Sequence, residues 1–382
     1  MNLEKGFPTT VNSTQLPGSV VRVGVIGLGY AGETHLKAYK QLPNVEVVAL
    51  AGLEEDRLLQ LGSTYDVPHL YHQYEELLAR DDIDAISICV PNYLHAPIAL
   101  AAFAGGKHVL CEKPLARNGE EAAQMVQAAT RSNRVLKVIF NRRARSDMQI
   151  LKRYIDEGHM GTIYYVKANW MRRHGIPGRD SWFINKEMSG GGPLIDLGVH
   201  VLDMALYLLD EPRVLTVSAS TFSELGARTI ATSKAEMSEK YSVGSAFEVE
   251  DMATAFLRLA GGATMLLETS WVTHSNAGDD FGVVCYGTES GAEIKVENYN
   301  WQDTLRIYTN VAGLPAEIRP PLTRAEGHLA LVREFIAAIT GDDWSAHNGS
   351  DGLYRARILD ACYVSAERQR EVTLAEDGSI SG

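Results

Sequence analysis

The chain has 382 residues, 45% of them hydrophobic and 22% charged, with a formal net charge of −12. That length and balance support two domains with proper cores and exclude a disordered or fibrous chain. The acidic excess argues against a binder that neutralises nucleic-acid phosphates, and no window reaches 18 uninterrupted apolar residues, so neither a nucleic-acid nor a membrane partner is expected. The four cysteines form no CxxC pair. We expect a reduced, cytoplasmic protein without a metal site.

Residues 1–19 lack an apolar h-region and read as a flexible leader. From Val20, short β-branched runs alternate with helical segments: strand VVRVGVIGLG, helix THLKAYKQL, strand VEVVALAG, helix DRLLQLGSTY, a short LYH strand and helix YEELLARD. Strand DAISICV, helix APIALAAFAGG, strand KHVLCE, helix EEAAQMVQAATRS and strand RVLKVIFN complete the series. Six strands with helical crossovers predict a doubly wound parallel sheet over residues 20–141.

Beyond Asn141 the rhythm changes. Helix DMQILKRYIDEG and strand TIYYVKANWM precede a glycine- and aromatic-rich loop, then the apolar helix in GGGPLIDLGVHVLDMALYLL. Long strands follow, VLTVSASTF, VEDMATAFLRLA, GATMLLETSWV, FGVVCYG, AEIKV and DTLRIYTN, with hairpin turns at AGGA and GTESGA. Residues 142–382 therefore read as an α/β domain with a large, mainly antiparallel open sheet. Two closing helices, TRAEGHLALVREFIAAIT and DGLYRARILDACYVSAERQ, are expected to cover the domain seam.

Several stretches carry candidate chemistry. In GLGYAG, at a strand-to-helix junction, Gly27, Gly29 and Gly32 suit a tight turn, close approach to a pyrophosphate and close helix packing, with Leu28, Tyr30 and Ala31 alongside. The tip of the second strand, where an acidic residue usually binds a ribose hydroxyl, reads Gly52 and Leu53. Glu54 stands in for that acid, or serves only the helix N-terminus; Arg57 meets a 2′-phosphate or solvent. NAD is the expected cofactor, with NADP left open.

VPNYLHAP follows the fourth strand, where Pro91, Asn92 and His95 reach the ligand crevice, with Asn92 as cofactor contact or plain helix cap. CEKPLA ends the fifth strand, placing Glu112 and Lys113 at the crevice mouth, where a lysine can donate to a substrate oxygen or move a proton. In the apolar helix, Asp196, His200 and Asp203 fall at i, i+4 and i+7 on one side. His200, one turn after Asp196, suits acid–base work, and Asp203 reads as structural support. Arg142, Trp170, Arg172, His174 and Trp182, in FNRRARSD and NWMRRHGIPGRDSWF, read as a sugar-binding group of guanidinium forks and aromatic faces.

Taken in order, GLGYAG, PNYLHAPIALAAFAGGKHVLCEKPLA and GGGPLIDLGVHVLD resemble the Gfo/Idh/MocA oxidoreductases, the family of inositol dehydrogenase and glucose-fructose oxidoreductase. The resemblance implies a Rossmann domain, an α/β domain whose open sheet forms homo-oligomer contacts, and a nicotinamide at the seam. It also implies that Lys113, Asp196 and His200 surround the reacting carbinol. The expectation is an NAD-dependent oxidoreductase acting on a secondary hydroxyl of a sugar, glycoside or cyclitol. Two alternatives stay open: a redox-neutral NAD-dependent glycosidase working through transient oxidation, with an anionic or sulfonated glycoside as a candidate substrate, and a non-catalytic dinucleotide sensor.

Overall fold

A computed structural model describes residues 20–178, 181–228, 247–341 and 343–381. The leader assigned to residues 1–19, and two positions of the loop that precedes Trp182, lie outside the described residues.

The first sheet contains β1 (Val21–Ile26), β2 (Val45–Ala51), β3 (His69–Tyr71), β4 (Ala85–Ile88), β5 (His108–Glu112) and β6 (Leu136–Ile139). All pairs are parallel, in the order β3-β2-β1-β4-β5-β6. In β1 every residue except Arg22 is buried, as expected of a strand covered on both faces. The crossovers are α1 (Tyr30–Tyr39), α2 (Glu55–Tyr65), α3 (Tyr74–Leu78), α4 (His95–Ala104) and α5 (Gly119–Ser132). The order reverses between β1 and β4, and this switch point opens a crevice at the carboxyl ends of the strands.

The second sheet has nine strands: β7 (Ile163–Arg172), β8 (Val214–Phe222), β9 (Met252–Leu259), β10 (Thr264–Ser270), β11 (Asp279–Gly287), β12 (Gly291–Glu297), β13 (Leu305–Val311), β14 (Leu314–Ile318) and β15 (Val372–Thr373). Its order is β14-β13-β12-β11-β7-β10-β9-β8-β15, antiparallel throughout except where β7 runs parallel to β10. Along β7, Val166, Ala168 and Trp170 are buried while their neighbours are more open, the alternation of a strand packed on one face.

Helices α6 (Ser146–Asp156), α7 (Lys186–Ser189) and α8 (Val199–Leu208) follow the Rossmann domain, and α8 lies against β7 and β11. Every residue of α8 except Tyr207 is buried. After β14 come α9 (His328–Thr340) and α10 (Ser350–Arg368), and β15 follows them. Leu331, Val332 and Phe335 of α9 join the core formed by Val23, Val25 and Leu36, so α9 returns to the Rossmann domain and packs on α1. Helix α10 lies between α5 and β8, joining the two domains.

Candidate active site

The glycine turn divides its work among three positions. Gly27 has φ +91°, and a Cβ there would lie 2.3 Å from the Cys89 carbonyl oxygen; one on Gly32 would lie 2.0 Å from the Gly27 carbonyl oxygen. Both are therefore fixed by close backbone packing. At Gly29 a Cβ would meet nothing within 4 Å, because this residue faces an open cleft. Helix α1 begins immediately after it with no side-chain cap, leaving its first N–H groups for an anion. These features fit a dinucleotide.

The cleft measures about 740 Å³ and runs from the glycine turn to the domain seam. Gly27, Leu28, Gly29, Tyr30, Ala31, Glu54, Pro91, Asn92, Glu112 and Lys113 line it, with Asp196 and His200 on the opposite wall. A Cβ on Gly52 would sit 2.7 Å from the Leu28 side chain, so any larger residue there would have to displace Leu28. Asn92 donates from Nδ2 to the Ser189 carbonyl (2.8 Å), linking the Rossmann domain to the chain that leads into the apolar helix.

Two cofactor assignments need correction. Arg57 donates from Nε to the Leu28 carbonyl (3.1 Å) and from Nη2 to Glu33 (2.5 Å), which holds it outside the cleft lining. His95 is fully buried, with Nδ1 and Nε2 2.8 and 2.9 Å from the carbonyls of Pro114 and Val90. It clamps two backbone segments beneath the cleft instead of lining it.

The apolar helix also differs from its expected form. Leu194–Gly198 is a π-turn, and the α-helical winding begins only at Val199. Asp196 and His200 still reach the same cleft, while Asp203 points to the other side. Lys113 donates from Nζ to Asp196 Oδ1 (2.9 Å) and to the Asp196 carbonyl (3.0 Å), and Trp271 donates from Nε1 to Oδ2 (3.0 Å). Burial alone would raise the Asp196 pKa, but the Lys113 charge and hydrogen bond overcome it and hold the carboxylate below its usual range. Burial first, then the charges of Lys113 and Arg142, lower the His200 pKa well below the ordinary value. The imidazole is neutral at physiological pH, and its buried Nδ1 has no hydrogen-bond partner.

Behind Lys113, Glu112 Oε1 lies 3.1 Å from His35 Nε2 and 3.3 Å from His328 Nε2, and Oε2 accepts the Lys113 backbone N–H (3.2 Å). Burial acts to raise the Glu112 pKa, yet the hydrogen bonds from His328 and His35 bring it well below the normal range. These three side chains offer ligand atoms within 4.8 Å of one another, but each is accounted for by hydrogen bonding at the base of the EKP segment.

Of the expected sugar-binding group, Arg142 and Trp182 line the cleft, Trp182 stacked on Phe183 at 3.9 Å. Trp170 and Arg172 stand behind the wall: Trp170 is 5.4 Å from the His200 ring and donates to Asp279 (2.6 Å), and Arg172 pairs with Asp279 (2.9 Å). His174 requires correction, because its strand continues past the cleft to pair with Val272 and leaves the ring exposed. Asp203 binds Arg143 Nε (2.9 Å) and Arg355 Nε (3.0 Å) away from the cleft. Trp271, His328, Phe281 and Tyr299 were not anticipated. Each comes from a segment whose sequence signal is only a strand, a loop or an apolar helix.

A glycine-turn dinucleotide cradle opening onto a Lys–Asp–His constellation defines an NAD-binding oxidoreductase enzyme. Comparison with known proteins agrees. Residues 21–140 match the oxidoreductase family with an NAD-binding Rossmann fold, and residues 148–293 match the GFO/IDH/MocA C-terminal domain. The chain is 30% identical to a D-glucoside 3-dehydrogenase of Escherichia coli over 94% of its length and 99% of the relative's. It is also 30% identical to a levoglucosan dehydrogenase of Pseudarthrobacter phenanthrenivorans, over 93% and 98% of the two chains. A solved structure of levoglucosan dehydrogenase in complex with NADH and levoglucosan superposes with a TM-score of 0.79 at 25% identity, covering 94% of this chain and all of the other. The protein belongs to the Gfo/Idh/MocA oxidoreductase family.

Proposed function

We propose that the protein oxidises a secondary hydroxyl of a sugar, glycoside or cyclitol, with His200 as proton acceptor and Lys113 as the hydrogen-bond donor to the reacting oxygen. The observation that carries this reading is the ion pair of Lys113 and Asp196 at 2.9 Å facing a neutral His200 across one cleft. Bound NAD supplies the hydride acceptor. Asp196, fixed by Trp271, positions the Lys113 ammonium, and that ammonium stabilises negative charge developing on the substrate oxygen. The neutral imidazole accepts the hydroxyl proton, while the walls of Trp182 and Phe183 restrict water. Pairing of Arg57 with Glu33 supports NAD over NADP, because it withdraws the guanidinium suited to a 2′-phosphate.

The names of the two curated relatives support a carbohydrate substrate. All four cysteines are free thiols, which supports a reducing cytoplasm. No described helix is long and apolar enough to cross a membrane. Exposed Tyr164, Tyr308, Leu314 and Ile318 on the nine-stranded sheet support homo-oligomer contacts there.

The test is a panel of glycosides, aldoses and cyclitols with NAD or NADP, followed for absorbance at 340 nm and for aglycone release. Stoichiometric NADH from at least one substrate is expected. Aglycone release with no net NADH, or bound cofactor with no turnover of any substrate, contradicts the assignment.

A further inference from the structure

Of Arg142, Arg143, Arg145 and Arg172, three have a carboxylate. Arg143 pairs with Asp203, Arg145 with Asp147 (2.7 Å) and Arg172 with Asp279 (2.9 Å). Arg142 lines the cleft and has no carboxylate within ion-pairing distance among the described residues. Its Nε is buried without a hydrogen-bond partner. Burial lowers its pKa to about 10, which leaves it a cation at neutral pH.

The guanidinium lies over three rings, Phe281 at 4.8 Å, Trp170 at 5.1 Å and Tyr299 at 5.5 Å. Those rings stabilise the charge through their faces, but they accept none of the in-plane N–H donors. Those ring faces offset only part of the cost of holding a partly buried cation that has no carboxylate partner. The glycine turn that would hold the dinucleotide phosphates follows β1, whereas Arg142 follows β6, three strand spacings or about 14 Å across the sheet at the backbone. Trp170 touches both Arg142 and His200, so the arginine and the hydroxyl subsite share one wall.

We propose that the substrate carries an oxyanion substituent, a carboxylate, sulfonate or phosphate, which pairs with Arg142 while a secondary hydroxyl of the same molecule meets Lys113 and His200. This names the substrate class for the site and rests on the oxidoreductase reading given above. The planar fork of Arg142 donates two N–H groups to the oxyanion, and the aromatic box excludes competing water.

The experiment measures binding to the NADH-loaded full-length protein by calorimetry, so that it reads independently of turnover. The probes are glucose and galactose, the two corresponding uronates, the two 6-phosphates and 6-deoxy-6-sulfoglucose. At least one anionic probe is expected to bind about tenfold or more tightly than its neutral parent, the increment of a charge-assisted pair. Arg142→Met should remove that difference, weakening the anionic probe about tenfold more than its neutral parent; Arg142→Lys should keep part of it. Should no anionic probe bind better than its parent, or should Arg142→Met weaken neutral and anionic probes equally, the inference is overturned. Anion-selective binding without NAD reduction would sink the oxidoreductase assignment alone, and NADH formation from neutral sugars without anion preference would sink this inference alone. Unchanged thermal melting of the variants separates either result from misfolding.

Discussion

Arg142 and Arg143 are neighbours in the chain, yet they belong to opposite sides of the helix that carries Asp196, His200 and Asp203. On one side, Arg143, Arg355, Asp203, Glu211 and Asp351 form a closed network in which each charge has a partner. On the cleft side, half-buried Arg142 and buried His200 each retain a buried polar atom with no partner. Burial of polar groups is common to both regions. Incomplete satisfaction is what separates the side that can bind and react from the side that only holds the fold.

The largest effect that can break this contrast is expected at Lys113. Lys113→Ala should lower kcat/KM for NADH formation by about 100- to 10,000-fold, with NAD affinity little changed, because the group acts on the reacting oxygen. Steady-state kinetics with parallel NADH fluorescence titration reads both quantities. Next in size is Asp203→Ala, which leaves Arg143 with Asp351 and Arg355 with Glu211 but removes the buried carboxylate they share, and should cost roughly 1–3 kcal/mol of stability in a urea denaturation series. A loss below about 1 kcal/mol would show that the network behaves like a solvent-exposed ion pair.

The glycine turn offers a smaller and more selective contrast. Gly29→Ala should weaken NAD binding by about tenfold while leaving melting unchanged, since its Cβ enters only the cleft. Gly32→Ala should instead lower the melting temperature, because its Cβ would lie 2.0 Å from a carbonyl oxygen. Equal behaviour of the two variants contradicts the division of roles. The smallest effect is in pH. His200 must be neutral to accept a proton, and its pKa is lowered, so activity should be full at neutrality and fall only below about pH 6.5. An acidic limb centred at or above that value would mean an ordinary or raised histidine.

The parallel sheet was legible because its strands are continuous apolar runs punctuated by glycine turns, and all six were placed by that rhythm. Strand β14 was missed, since LPAEI contains a proline and lacks alternation, and β15 is only two residues long. The π-turn at Leu194–Gly198 left no mark, because an apolar run looks the same wound at either pitch. Lys113, Asp196 and His200 were legible through motif order. Trp271, Phe281 and Tyr299 were not, because Phe281 reaches the site by long-range strand pairing and Trp271 and Tyr299 sit just past the ends of β10 and β12, which pair the same way. His95 and Arg57 failed as cofactor candidates for a related reason: proximity in sequence gave no warning that backbone carbonyls and Glu33 would claim them.

The most direct test of the central contrast compares NADH formation by His200→Ala and Asp203→Asn at equal concentrations of folded protein. Helix position, burial and apolar surroundings are shared by the two residues, and only the side they face differs. His200→Ala is predicted to lose about 100-fold or more in kcat/KM while keeping its melting temperature, and Asp203→Asn to melt lower while keeping most of its kcat per folded molecule. A His200→Ala protein that retained a tenth of the parent rate, or an Asp203→Asn protein that was stable but inactive, would contradict the account.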